Sequence, residues 1–389
     1  MLNYSAVVPE KVRALKPSGI RKFFDIVSEM DDVISLGVGE PDFMTPWHIR
    51  SSGIYSLEKG RTWYTSNDGM AELRTEICSY LKRRFSIEYD PKQEVIVTVG
   101  GSEAIDIAIR ALVEPGDEVI IPEPSFVCYD PITRMAGGVP VPINTRAEDS
   151  FRLTPEALKK AITPRTKLLI MPFPNNPTGG VMRREDLEKI AEVLEGTDIV
   201  VLSDEIYGEL TYDGTHTSIA SVGNMRERTI YVGGFSKAYA MTGWRLGYAC
   251  GPKELMPYLH KIHQYCIMCA PTTSQYAAIE ALRNGDEDIL RMRNEYDMRR
   301  HFIVTGLRKA GLDCFEPKGA FYVFPSVKAS GLSSEDFCEK LLYSQKVAVV
   351  PGNAFGDCGE GYVRISYSYS IKHIAEALRR IEAFMDGLR

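Results

Sequence analysis

Several β-rich runs in this chain end on residues that a purely structural strand has little use for. DIVVLSDEIY is apolar until it delivers Asp204 and, three positions on, Tyr207. RTIYVGGF is followed by Ser236 and Lys237, then by Gly243, Arg245 and Gly247. EVIVTV runs into Gly100-Gly101-Ser102-Glu103, and TKLLIMPFP into Asn175-Asn176-Pro177-Thr178-Gly179. Each has an ordinary reading: a salt bridge for the acid, a tight connection for the glycines, a turn for the asparagines.

Taken together they predict chemistry. An acid at the covered end of a strand is costly unless something positive pairs with it. A lysine there is desolvated, which lowers its pKa and makes it a nucleophile toward carbonyls. A glycine turn that opens a helix presents free N–H groups to a phosphate. One ligand uses all of these, an aromatic aldehyde that carries a phosphate, and pyridoxal phosphate fits. Lys237 would bond its aldehyde carbon, and Asp204 would keep the pyridine nitrogen protonated so that the ring withdraws electrons. Tyr207 and Asn176 would hydrogen-bond the ring oxygen. The Gly101-Ser102-Glu103 turn and Arg245 would clamp the phosphate. Phe126, in PEPSFVCYD, is a candidate to cover the ring face, with a place in the core as its alternative. Rival phosphate motifs are missing: there is no G-x-x-x-x-G-K-[ST], and Gly37-Val38-Gly39 runs into Pro41, which would break a following helix.

These residues need a scaffold that brings strand ends together. From about residue 94 the sequence alternates β-rich runs with helical patterns, which predicts βαβ units, an α/β fold and a mostly parallel sheet. In such a sheet ligands sit outside the carboxyl ends of the strands. Helical patterns over Lys253 to Cys266 and Asp286 to Ala310 follow; beyond Gly311 a smaller α+β unit is expected, with strands in LDCFEP, AFYVFPSV, KVAVVPG and YVRISYS and helices from Ser334 and Ile371. The first 50 or so residues are too short to stand alone and are expected to pack onto that unit.

The chain has 389 residues, enough for two domains, with 44% apolar and 25% charged residues and a formal charge of −6. That balance excludes disorder and gives no basic block for nucleic acid. No apolar run approaches a membrane span and no secretory leader is visible, so a cytoplasmic chain without membrane partners is expected. Among the eight cysteines, Cys266 and Cys269 form a close pair without a second pair to complete a metal site, and are expected to be buried thiols, with no metal bound.

The segments ISLGVGEPDF, YTSNDGMAELR, GGSEAI, PFPNNPTGG, SDEIYG, GGFSKAYAMTGWRLGY, PKGAFYVFP and YVRISYS together resemble, in order, the class I/II pyridoxal-phosphate-dependent aminotransferases, the aspartate-aminotransferase-like enzymes of fold type I. The resemblance implies a large domain with a seven-stranded, mostly parallel sheet flanked by helices. A smaller α+β domain would be formed by the N-terminal segment and the C-terminal part. Residues 1–50 would be that N-terminal segment, 51–285 the cofactor domain, and 286–389 the small domain, with 286–311 as a connecting helix. It implies that Lys237 also shuttles the proton, that Arg364 binds the substrate α-carboxylate with help from Asn176 and the Gly39 backbone, and that Tyr64 reaches the neighbouring site of a homodimer. Many members carry a hydroxyl three positions before the lysine; here that residue is Gly234, and Ser236 stands directly before Lys237.

The activity implied is ping-pong transfer of an amino group from an L-amino acid, aromatic or aspartate/alanine, to a 2-oxo acid such as 2-oxoglutarate. A C–S β-lyase or other lyase on the same fold is the alternative, and a non-catalytic regulator a remote one, since no DNA-binding segment precedes the fold pattern. Ile20 and Phe24 would suit an apolar or aromatic substrate side chain.

Overall fold

A computed structural model describes residues 2–15, 30 and 32–388 of the chain. Ile20 and Phe24 lie outside the described residues. The strands are β1 (Ile34–Ser35), β2 (Val95–Thr98), β3 (Glu118–Glu123), β4 (Val139–Asn144), β5 (Thr166–Met171) and β6 (Val200–Asp204), followed by β7 (Thr229–Gly234), β8 (Gly247–Cys250), β9 (Tyr322–Val323), β10 (Val347–Ala348), β11 (Val350–Pro351) and β12 (Val363–Ser366).

Seven of them form one sheet in the order β2-β8-β7-β6-β5-β3-β4. All neighbours are parallel except β8, which runs against both β2 and β7. Apolar continuity in the central strands follows from burial of both faces. Along β2, Ile96 joins the core under the Gly101–Leu112 and Met256–Cys266 helices, while Val95 and Val97 join the opposite core under the Ala71–Phe85 and Thr272–Asn284 helices. The edge strand β4 carries Pro140 and Pro142, residues an edge tolerates because its outer side needs no ladder donors.

Two elements without a clear sequence signal, the Trp47–Glu58 and Thr272–Asn284 helices, pack against each other. A glycine sits inside the first because a Cβ on Gly53 would meet the Trp244 ring at 2.8 Å.

In the C-terminal part, β9, β12 and β11 make an antiparallel sheet, and β10 pairs in parallel with β1, Ile34 opposite Val347. The Ser334–Gln345 and Ile371–Asp386 helices cover a separate core that includes Phe321, Phe337, Ile365 and Ile381. Residues 312–317 form no strand, contrary to the expectation for LDCFEP. The expectation of buried thiols at Cys266 and Cys269 also needs correction: Cys266 ends the Met256–Cys266 helix on its outer side, exposed, where Arg110 Nη2 donates to its Sγ at 3.3 Å, and Cys269 is only half-buried. Among the described residues no helix is long and apolar enough to cross a membrane.

Candidate active site

The carboxyl ends of β2, β3, β5, β6 and β7 open on a cavity of about 380 Å³ that Arg364 of β12 and Tyr322 of β9 close from the other side. Lys237 stands three residues beyond the end of β7, half-buried, and its Nζ donates to the Gly39 carbonyl at 2.7 Å. Desolvation, with Arg364 and Arg245 adding repulsion against the partial relief of Glu40 and Asp204, lowers its pKa to about 8. A minority of this amine is therefore neutral near physiological pH, far more than for a lysine in water, as a nucleophile or general base requires.

Asp204 closes β6 and is buried. Among the described residues its partners include no arginine: Tyr129 Oη donates to Oδ2 at 2.7 Å and the Ile206 N–H to Oδ1 at 3.3 Å. Burial pushes the carboxyl pKa up, and those two donors hold it down. A carboxylate buried in this way needs a further cation or donor, and the cavity is where one would come from. Tyr129 lies on the Tyr129–Ala136 helix and was not singled out by sequence, because an aromatic inside PSFVCYDPITRMAG reads as core.

The glycine turn works through shape. Gly100 caps the Gly101–Leu112 helix at φ 78°, and a Cβ there would lie 2.7 Å from Arg245 Nη2. Arg245, itself left-handed at φ 51°, is thereby brought up against the free N–H groups of the helix start. Gly101, Ser102, Ser236 and Arg245 line that corner of the cavity. Glu103 does not: its carboxylate turns back to accept from the Val99 N–H at 2.5 Å and to meet His263 Nδ1 at 2.7 Å. A Cβ at Gly234 would lie 2.7 Å from Ile206 Cδ1, the end of a flexible side chain, and 3.3 Å from the Gly247 Cα and the Leu246 carbonyl, so a side chain there would require its neighbours to give way.

Arg364 is buried, its guanidinium held edge-on by Asn176 Oδ1 (2.9 Å from Nη1) and the Gly37 carbonyl (2.5 Å from Nη2). Among the described residues its Nε has no hydrogen-bond partner, an orphaned buried donor of the kind a bound carboxylate would satisfy. Gly39, expected to help Arg364 through its backbone, lines the same cavity, and its carbonyl accepts from Lys237. Tyr207 Oη is hydrogen-bonded to Tyr322 Oη at 2.8 Å, and Phe126 is half-buried on the cavity wall, edge-on to Tyr129. Tyr322 was also missed, because in AFYVFP it is one apolar position among several. Tyr64 is 76% exposed and stands away from this cavity in the single chain.

The donor set fits pyridoxal phosphate: a polar corner of N–H groups with an arginine, a buried acid, a phenol, and an amine within one cavity.

The sequence profile of the family "Aminotransferase class I and II" matches residues 31–381. The chain is 53% identical over 381 residues to the putative aminotransferase YugH of Bacillus subtilis, covering 98% of this chain and 99% of that one. It is 47% identical to an aspartate aminotransferase of Pyrococcus abyssi, over 96% of this chain and 97% of the relative. Among solved structures, an aromatic aminotransferase from Pyrococcus horikoshii OT3 superposes with a TM-score of 0.90 at 44% identity, over 95% of this chain and 99% of that one.

Proposed function

The chain belongs to the class I and II aminotransferases, pyridoxal-phosphate-dependent transferases of fold type I, and we propose that it moves the amino group of an L-amino acid to 2-oxoglutarate in a ping-pong cycle centred on Lys237. When bound, pyridoxal phosphate supplies an aldehyde carbon that takes up an amine and a ring that withdraws electrons from the amino acid Cα. Everything else is the work of this chain.

The observation that carries the reading is the joint placement of Lys237, Asp204 and Arg364 around one cavity. Arg364, fixed by Asn176 and the Gly37 carbonyl, offers its free Nε and an Nη to the α-carboxylate. With the carboxylate so anchored, Lys237 Nζ would be the base for the Cα proton, its lowered pKa suiting it to take that proton and return it on the far side of the amino nitrogen. Asp204 would hold a proton on the ring nitrogen, with Tyr129 as a donor that favours its ionised form. Tyr207 would donate to the ring oxygen. Arg245, Ser102, Ser236 and the N–H groups after Gly100 would receive the phosphate, leaving Glu103 a supporting role through His263.

The same reading places a homodimer around exposed aromatics. Trp63 (63% exposed), Tyr64 and Tyr265 (86%) are costly to leave in water, and Tyr64 would serve the partner's phosphate corner. It also takes residues 51–285 as the cofactor domain and 286–389 with the N-terminal segment as the smaller one, supported by the β1–β10 pairing. A cytoplasmic enzyme acting on small amino and oxo acids is the setting proposed. Relatives named for aspartate and for aromatic amino acids leave two donor classes to separate.

A donor panel with 2-oxoglutarate tests the reading. Glutamate should form from tyrosine, phenylalanine or aspartate, with parallel lines in double-reciprocal plots. Pyruvate released from a sulfur amino acid without any oxo acid would instead mark a lyase. Aspartate far ahead of tyrosine and phenylalanine would exclude an aromatic preference.

A further inference from the structure

Tyr322 comes from the C-terminal sheet, yet its hydroxyl sits among groups of the large sheet. On β9 it faces Ser366 of β12, and Arg364, two positions before Ser366, shares that face. Its ring lies under the Arg364 guanidinium, 4.6 Å from Cζ to centroid, with Phe355 on the same guanidinium at 4.8 Å. Its hydroxyl is wedged against Gly39, where an added Cβ would collide with it. The hydrogen-bond partner of that hydroxyl is Tyr207 Oη, at 2.8 Å, with both phenols buried. The charges facing the pair are Arg364, Asp204 and Lys237, the last 5.7 Å from the Tyr207 ring centroid.

Two hydroxyls hold two protons and share one hydrogen bond. If Tyr207 donates to Tyr322, it has no proton left for the cavity. If Tyr322 donates, the Tyr207 proton is free to point inward, and accepting a bond makes Tyr207 a stronger donor. We propose that Tyr322 is a positioning residue for the transamination centre: its hydroxyl donates to Tyr207 and so directs the Tyr207 proton onto the cofactor's ring oxygen. This rests on the reading of Tyr207 given above, and the test separates the two.

A donor to the ring oxygen holds negative charge there and weakens the pull on a proton at the neighbouring nitrogen. Losing it raises the pH midpoint of the bound cofactor's visible absorbance. That midpoint is measured on pyridoxal-phosphate-loaded wild type, Tyr322→Phe, Tyr207→Phe and the double variant. The dissociation constant for 3-phenylpropionate, an amine-free carboxylate, is measured on the same samples. Tyr207→Phe should raise the midpoint by about 1 unit or more, the size of a hydrogen bond to a charged group. Tyr322→Phe should raise it by about 0.5 unit, and the double variant should match Tyr207→Phe alone, since the second phenol acts only through the first. Because phenylalanine keeps the ring under Arg364, carboxylate affinity should stay within about twofold in Tyr322→Phe. An unmoved midpoint in Tyr322→Phe, shifts that add in the double variant, or a parallel loss of carboxylate affinity would overturn the proposal. An unmoved midpoint in Tyr207→Phe would instead overturn the assignment of Tyr207 itself.

Discussion

The hydroxyl of Tyr129 donates to Asp204 Oδ2 at 2.7 Å, and both residues are buried, the acid at the carboxyl end of β6, the central strand of the seven-stranded sheet. A carboxylate in such a place is under pressure to take up a proton, and the phenol relieves it. The state of Asp204 therefore depends on a residue from a different element.

Replacing Tyr129 with phenylalanine keeps the ring packed on Phe126 and removes only this donor. Asp204 is then left with the Ile206 N–H, and its pKa rises further. We expect kcat to fall by about 10- to 100-fold, the worth of one hydrogen bond to a charged group. The acid limb of the kcat profile should move to higher pH, because the carboxylate now protonates earlier. Steady-state kinetics across pH will show this, and a wild-type profile would contradict it.

At Arg364 the geometry matters more than the charge. Lysine keeps the charge but cannot hold Asn176 and the Gly37 carbonyl while meeting a carboxylate with two N–H groups. Arg364→Lys should raise KM for the amino acid by about 100-fold while the protein still takes up pyridoxal phosphate. A KM within threefold of wild type would show that the carboxylate binds elsewhere.

The cofactor-free protein offers a test through stability. Lys237 has a folded pKa of about 8 against 10.5 for a free side chain, so the fold disfavours its charged form. Well below pH 8 the amine is charged in both states and the folded state bears the whole penalty. Between pH 8 and 10.5 the unfolded chain binds more protons, so stability from this group rises with pH; above that range the penalty is gone. Lys237→Met, without cofactor, should melt higher than wild type at pH 7, by at most about 3 kcal/mol, and the advantage should shrink toward pH 10.5. Equal melting at pH 7 would contradict a desolvated amine.

Much of the site was legible because chemistry placed after an apolar strand stands out: Asp204, Lys237 and the Gly100 turn each interrupt a run that packing alone would have continued. Arg364 was reachable only through the set of segments around it, since one arginine in a short strand carries no local signal. Tyr129 and Tyr322 stayed hidden because a tyrosine in an apolar run satisfies the core pattern whatever its hydroxyl does. Glu103 misled for a related reason: a helix start favours an acid, and only the fold reveals that His263, 160 residues on, takes its carboxylate away. The sheet could be read from its alternation of strands and helices. The Trp47–Glu58 helix could not, because its Gly53 answers to the ring of Trp244 and to nothing nearby in the chain.

The most direct measurement loads the protein with pyridoxal phosphate, reduces it with borohydride and maps the modified peptide by mass spectrometry. One label per chain on Lys237, with the visible absorbance lost on reduction, is the predicted result. A label spread over surface lysines, or placed on another single lysine, would contradict the account at its root.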